Sequence, residues 1–219
     1  FFCKKIIDVG FCISPHMIDK MKINHKEVYY IPNGIDSKIF KDLNYKRKKI
    51  FLAVGSLKKE KSYENLINAF SLLLNDYPEY KLNIAGEGPQ KIKLIRIVKK
   101  LNISDNVIFL GNLNKKKLIE VYNRSEFFIL SSSSEGFPKV VLEALFCGCK
   151  VISTNVGSVS TFLPESYIIS NNSINNLYKH MVKIILEKNY FIDLNSLKKT
   201  YTWNNVILKY NKVYESNIN

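Results

Sequence analysis

Short apolar runs alternate along this chain with segments whose apolar residues recur at helical spacing. The runs Ile50–Val54, Lys81–Ala85, Val107–Leu110, Phe127–Leu130, Lys150–Ser153 and Tyr167–Ile169 predict strands. Between the first two, Leu66, Ile67, Phe70, Leu73, Leu74 and Tyr77 fall on one face of a helix. Between the next two, Ile92, Ile95, Val98 and Leu101 form an apolar stripe opposite Lys91, Lys93, Arg96, Lys99 and Lys100, a charge pattern read as solvated surface. Shorter helices are predicted at Leu118–Tyr122 and Pro138–Phe146. Strand and helix signals in alternation predict an α/β fold, a Rossmann-like parallel sheet with helices on both faces. Residues 1–36 stand outside that series and read as a strand over Ile6–Ile13, a helix over His16–Met21, a strand over Val28–Ile31 and the turn Pro32-Asn33-Gly34. A last helix is predicted from Asn204 to Tyr214. No internal repeat is present, and the run Ser131–Ser134 is too short to count as low complexity.

The segment from Phe127 to Gly148 carries the most chemistry. An apolar strand ends in four serines, followed by Glu135-Gly136-Phe137 and a helix predicted to open at Pro138. Proline suits a first helical position, where its missing N–H is not needed. The unpaired N–H groups of a helix start, with the positive end of the dipole, suit a phosphate. Glu143 lies roughly 7.5 Å farther up the axis at about 1.5 Å per residue. One carboxylate before the helix and another within it fit the two ends of an elongated phosphate-bearing ligand such as a nucleotide-sugar.

Composition narrows the choice only modestly. The formal charge of +14 points to an anionic partner, but the basic residues are mostly Lys, with Arg only at 47, 96 and 124. A Lys-, Asn- and Ile-rich composition of this kind also follows from AT-rich coding, so the charge is discounted, and no nucleic-acid-binding motif accompanies it. Cys3, Cys12, Cys147 and Cys149 form no C-x-x-C, and no His stands at ligand spacing from them, which argues against a zinc site and predicts reduced thiols. His16, His25 and His180 are isolated. Gly86-Glu87-Gly88-Pro89 is not the G-x-G-x-x-G fingerprint, which disfavours a nicotinamide enzyme. No apolar run approaches the roughly 20 residues of a membrane span. The chain opens Phe1-Phe2-Cys3 without Met, as a fragment does.

These motifs occur in an order that resembles a known family. Ile31-Pro32-Asn33-Gly34-Ile35-Asp36, Val54-Gly55-Ser56-Leu57 with Lys61, Gly86-Glu87-Gly88-Pro89, Val107 to Gly111, Glu135 to Glu143, Val151 to Gly157 and Tyr201-Thr202-Trp203 follow one another over most of the chain. The series resembles the C-terminal, donor-binding half of a GT-B glycosyltransferase of the retaining type called family 4 or group 1. It implies that residues 1–36 are the tail of an incomplete N-terminal, acceptor-binding domain with its linker. Residues 37–200 would be the donor domain, and residues 201–219 a crossover helix whose Val206, Ile207, Tyr210 and Val213 lack part of their support.

The resemblance also implies roles. Glu135 and Lys61 would be catalytic, Glu135 at the sugar and Lys61 neutralising the leaving diphosphate without a metal or other cofactor. Donor binding would fall to Gly55, Ser56, Lys61, Gly86, Gly88, Gly111, Asn112, Glu135, Gly136, Phe137, Pro138 and Glu143, with Glu143 accepting from the ribose hydroxyls. The partners implied are a nucleotide-sugar donor and an acceptor that is a lipid-linked saccharide or polysaccharide. The implied location is the cytoplasm, with peripheral contact to the cytoplasmic face of an acidic membrane. Three positions depart from the pattern. Ser56 stands where many relatives carry Arg, which leaves Lys58 or Lys59 to compensate; Pro138 stands where many carry Gly, and Thr161 where they carry Glu. A non-catalytic nucleotide-sugar-binding remnant and a sugar-nucleotide epimerase are the alternative readings.

Overall fold

The computed structural model of the chain describes residues 7–218, which leaves Cys3 and the predicted strand residue Ile6 outside the described part. Strands β1 (Ile7–Cys12) and β2 (His25–Tyr30) pair in parallel and are joined through the short helix α1 (Ile18–Met21); the strand–helix–strand order is as predicted, with the second strand starting at His25 rather than Val28. The main sheet holds β3 (Lys48–Val54), β4 (Lys81–Ala85), β5 (Val107–Gly111), β6 (Ser125–Leu130), β7 (Lys150–Thr154) and β8 (Ile168–Ile169). Its order is β5-β4-β3-β6-β7-β8, with every neighbouring pair parallel. The direction of winding reverses between β3 and β6. The crevice outside the carboxyl ends of those two strands is where open α/β sheets bind ligands.

Both faces of the sheet are covered, so its central strands read as continuous apolar runs rather than alternating ones. Alternation survives in where the side chains go. Phe51, Ala53, Phe127 and Ile129 pack under α2 (Tyr63–Leu73), α3 (Lys91–Lys100) and α6 (Ile174–Leu186). Leu52, Phe128 and Leu130 face the other way, toward α4 (Lys115–Arg124), α5 (Lys139–Phe146) and α7 (Leu194–Tyr201). Local chemistry sets several helix starts. Asn114, Ser173 and Asp193 each accept a bond from a backbone N–H of the first turn of α4, α6 and α7. The hydrophobic pattern alone did not single out α6 and α7.

Several boundaries shift by a few residues, and two of the shifts have a local cause in the turn chemistry. Pro138 is not the first helical residue; it caps α5 with φ −78° and ψ 82°, and the helix begins at Lys139. The Lys139 N–H turns back to the Phe137 carbonyl at 2.9 Å, so a tight turn takes the place of a first helical step. Tyr167 belongs to a 3-10 turn, which shortens the last strand to Ile168–Ile169.

The final helix α8 (Trp203–Ile218) is hydrogen-bonded to the linker at its start and packs Tyr210 and Tyr214 on Phe11 farther along. The Ile35 N–H donates to Tyr201 O at 2.7 Å and Trp203 N–H to Ile35 O at 3.3 Å, which ties the linker to the helix start. Val206 is fully buried and Tyr210 lies 5.0 Å from Phe11, whereas Ile207 and Leu208 remain exposed. The support expected to be incomplete is therefore missing on one face.

Candidate functional site

The glycines after β3 and β4 let two loops cross at the carboxyl edge of the sheet. A Cβ on Gly86 (φ +142°) would meet Gly55 O at 2.0 Å, and one on Gly88 would meet the Leu57 backbone at 2.7 Å. The chain's own backbone fills those directions, so these glycines serve loop packing. Gly55, Ser56, Gly86 and Asn112 nevertheless line one recess of about 270 Å³, together with Leu113 and Leu118. Gly111 (φ +66°) supports its floor, its carbonyl accepting the Gly86 N–H at 2.8 Å. Lys58 and Lys59, expected to stand in for the missing Arg, line a separate recess with Ser62, Glu64 and Lys93.

Lys61 ends a 3-10 turn after β3, and Glu135 follows β6, the neighbouring strand. The crossing of sequence at this switch point brings them together: Lys61 Nζ lies 2.5 Å from Glu135 Oε1. Their side chains are 17% and 14% exposed, so the pair is shielded but not sealed. The serine run fastens the two loops. Ser131 Oγ donates to Lys61 O at 2.8 Å, Ser132 Oγ to Glu135 Oε1 at 2.7 Å, and Ser133 N–H to Glu60 O at 2.7 Å. Tyr63, kept a neutral phenol by burial and then by the charge of Glu135, donates to Gly55 O at 3.2 Å.

The loop from Glu135 to Pro138 rests on Gly157. At φ +54°, a Cβ there would sit 2.4 Å from Gly136 O and 2.8 Å from Glu135 O, so only glycine fits beneath it. Phe137 anchors the loop, with ring centroids 5.9 Å from Phe162 and 6.0 Å from Tyr201. The N–H groups of Gly136 and Phe137 meet no acceptor among the described residues.

Glu143 occupies a different environment. It lines a recess of about 380 Å³ with Gly34, Asp36, Lys115, Leu118, Lys139 and Trp203, and Leu118 is shared with the first recess. Its Oε2 accepts the Tyr122 hydroxyl at 3.0 Å. Burial pushes the Glu143 carboxyl above its ordinary value, a shift that the Tyr122 bond and the Lys139 and Lys115 charges only partly oppose. Tyr122 is fully buried, and that burial holds its phenol protonated and donating.

The structure therefore joins Lys61 with Glu135, gathers Gly55, Ser56, Gly86 and Asn112 in one recess, and sets Glu143 in the adjoining one. Gly88, Gly136, Phe137 and Pro138 line neither recess. Several contributors were not visible in the sequence pattern. Tyr122 stood out only as one apolar position of a helix. Trp203, legible only as the last residue of a motif, reaches the Glu143 recess from the far end of the chain. Arg47 donates to Tyr122 O at 3.4 Å, Ser125 O at 2.9 Å and Cys147 O at 2.7 Å, which caps the carboxyl ends of α4 and α5 with one guanidinium. An isolated Arg in a lysine-rich chain was the one available signal.

A six-stranded parallel sheet in this order, covered by helices on both faces, is the fold this chain shares with GT-B glycosyltransferases. Anabaena HepE in complex with UDP-glucose superposes with a TM-score of 0.84 at 14% identity, over 95% of this chain and 64% of that one. The C-terminal domain of a glycosyl transferase group 1 family protein from Francisella tularensis superposes at 0.64 and 20% identity, over 82% of this chain and 98% of that one. A human phosphatidylinositol N-acetylglucosaminyltransferase subunit is 30% identical over 219 residues, 96% of this chain and 45% of that protein. The profile of the family Glycosyl transferases group 1 matches residues 35–200, and the chain belongs to that family. It spans about half the length of the curated relatives it matches.

Proposed function

We propose that this chain is the donor-binding half of a glycosyltransferase that moves a sugar from a nucleotide-diphospho-sugar to an acceptor with retention of configuration. One observation carries the reading. The paired recesses end at a half-buried, Tyr122-held carboxylate, while the adjacent switch point presents a shielded Lys61–Glu135 pair. Glu143 would accept from the ribose diol, the recess of Gly55, Gly86 and Asn112 would take the base, and Gly136 and Phe137 would donate to the diphosphate. A fixed cation next to a departing diphosphate lowers the barrier to its departure, and that cation is Lys61. Glu135 would face the sugar.

The human relative's name joins an N-acetylglucosaminyl group to phosphatidylinositol, and HepE is seen with UDP-glucose. On that basis we assign UDP-N-acetylglucosamine as donor and a lipid-linked acceptor. A lipid-linked acceptor would bring the site to the cytoplasmic face of a membrane, where the chain's net charge of +14 favours acidic headgroups.

A thermal-shift comparison of UDP-, GDP- and ADP-sugars tests the donor site. Ligand at about 100 times Kd adds roughly 2.7 kcal/mol, which raises Tm by about 2–4 °C per kcal/mol at this size. A shift specific to the uridine series, lost in Glu143→Ala, is the expected result; no shift with any of them overturns the reading. Since Lys61 and backbone N–H groups hold the leaving diphosphate, turnover by the full-length enzyme should survive EDTA. Loss of activity on chelation would refute the metal-independent assignment.

A further inference from the structure

The serine run that fastens the Lys61 and Glu135 loops divides its hydrogen bonds by residue. Ser131 reaches the Lys61 carbonyl at 2.8 Å and Ser133 the Glu60 carbonyl, so both act on the loop that carries the cation. Ser132 alone acts on the carboxylate, donating to Glu135 Oε1 at 2.7 Å. It is 1% exposed, and its own carbonyl is fixed by Thr154 Oγ1 at 2.7 Å from the end of β7. Lys61 Nζ approaches the same Oε1. Both donors thus converge on one oxygen, and Oε2 accepts from no described residue.

We propose that Ser132 is a positioning residue that keeps Glu135 aimed at the donor sugar while Lys61 changes partner from Glu135 to the donor diphosphate. This rests on the donor-site reading above. A doubly charged diphosphate is the stronger claimant for a single ammonium, so donor binding takes the cation away from Glu135. A carboxylate released from its cation in a shielded site reorients unless a second donor retains it. Ser132, neutral and anchored through its backbone to β7, is that donor. Ser131 performs the matching service for Lys61 by fixing the register of its loop.

Isothermal titration of this chain with UDP and with UDP-N-acetylglucosamine separates the roles, because only the second ligand reaches Glu135. Ser132→Ala should weaken UDP-N-acetylglucosamine by roughly three- to tenfold, the net worth of one hydrogen bond, and leave UDP unchanged. Ser131→Ala should weaken both ligands by the same factor. Tm measurements on each variant report whether the fold is intact. Equal weakening of both ligands by Ser132→Ala would make it a structural residue only, and no change in either would remove its role; both results overturn the proposal. Wild-type chain that binds neither ligand overturns the donor-site reading and this proposal with it. Wild type that binds both, with binding lost in Glu143→Ala, upholds that reading and lets the serine variants decide.

Discussion

Glu135 and Glu143 are the same residue type in one short segment, yet the fold treats them oppositely. Glu135 is met by a cation and a hydroxyl on one oxygen, on a loop held to its neighbour by serines. Glu143 is met by a neutral phenol, inside a helix and half-buried, which raises its affinity for a proton. The first is a carboxylate whose partner can be exchanged when charge arrives. The second is a carboxylate kept in place before any ligand arrives, at a cost in desolvation. Holding and exchanging are different tasks, and the two environments suit them separately.

The largest effect falls on the holding side. Tyr122→Ala removes a fully buried ring under α5 and should destabilise the chain by about 3–5 kcal/mol in urea unfolding. Tyr122→Phe keeps the ring and deletes only the hydroxyl, which leaves Glu143 without its partner. It should cost about 1–3 kcal/mol and weaken UDP binding. Stability equal to wild type with unchanged UDP affinity would erase the contrast between the two sites.

On the exchanging side, a double-mutant cycle over Lys61→Ala and Glu135→Ala should give a coupling of roughly 0.5–3 kcal/mol in the free chain. Saturating UDP should shrink that coupling, because the diphosphate takes the ammonium. A coupling that UDP leaves unchanged would mean that Lys61 never leaves Glu135.

The smallest effect is a pH dependence. The folded Glu143 carboxyl titrates above its unfolded value, so the folded state holds the proton more tightly. Its contribution to stability is then fully present below the unfolded value near 4.5 and is lost as pH rises through the raised folded one. Glu143→Gln lacks that titration and keeps a group able to accept from Tyr122. Urea unfolding at pH 4 and pH 7 should show the variant gaining on wild type at the higher pH. A difference that runs the other way would contradict a burial-dominated shift.

The fold was legible because the central strands, buried on both faces, leave uninterrupted apolar runs, and the crossover helices leave periodic ones. Leu52 between Phe51 and Ala53 shows the limit of that reading, since sequence does not tell which cluster each neighbour joins. The start of α5 was misplaced by one residue because Pro138 suits both a first helical position and the tight turn it adopts. Lys61 and Glu135 were each legible as candidates from motif order. Their contact was not, since it depends on β6 lying beside β3 rather than beside β5.

What the sequence determined by itself is local: which segments are strand or helix, where glycine relieves a crossing, and which side chains carry charge at loop ends. Strand order, and with it every partner of those side chains, was decided by tertiary structure. Tyr122 on Glu143, Arg47 on the carboxyl ends of α4 and α5, and Lys61 on Glu135 all join separate elements or loops. Periodicity reports which face of an element is buried, but only packing reports what it is buried against.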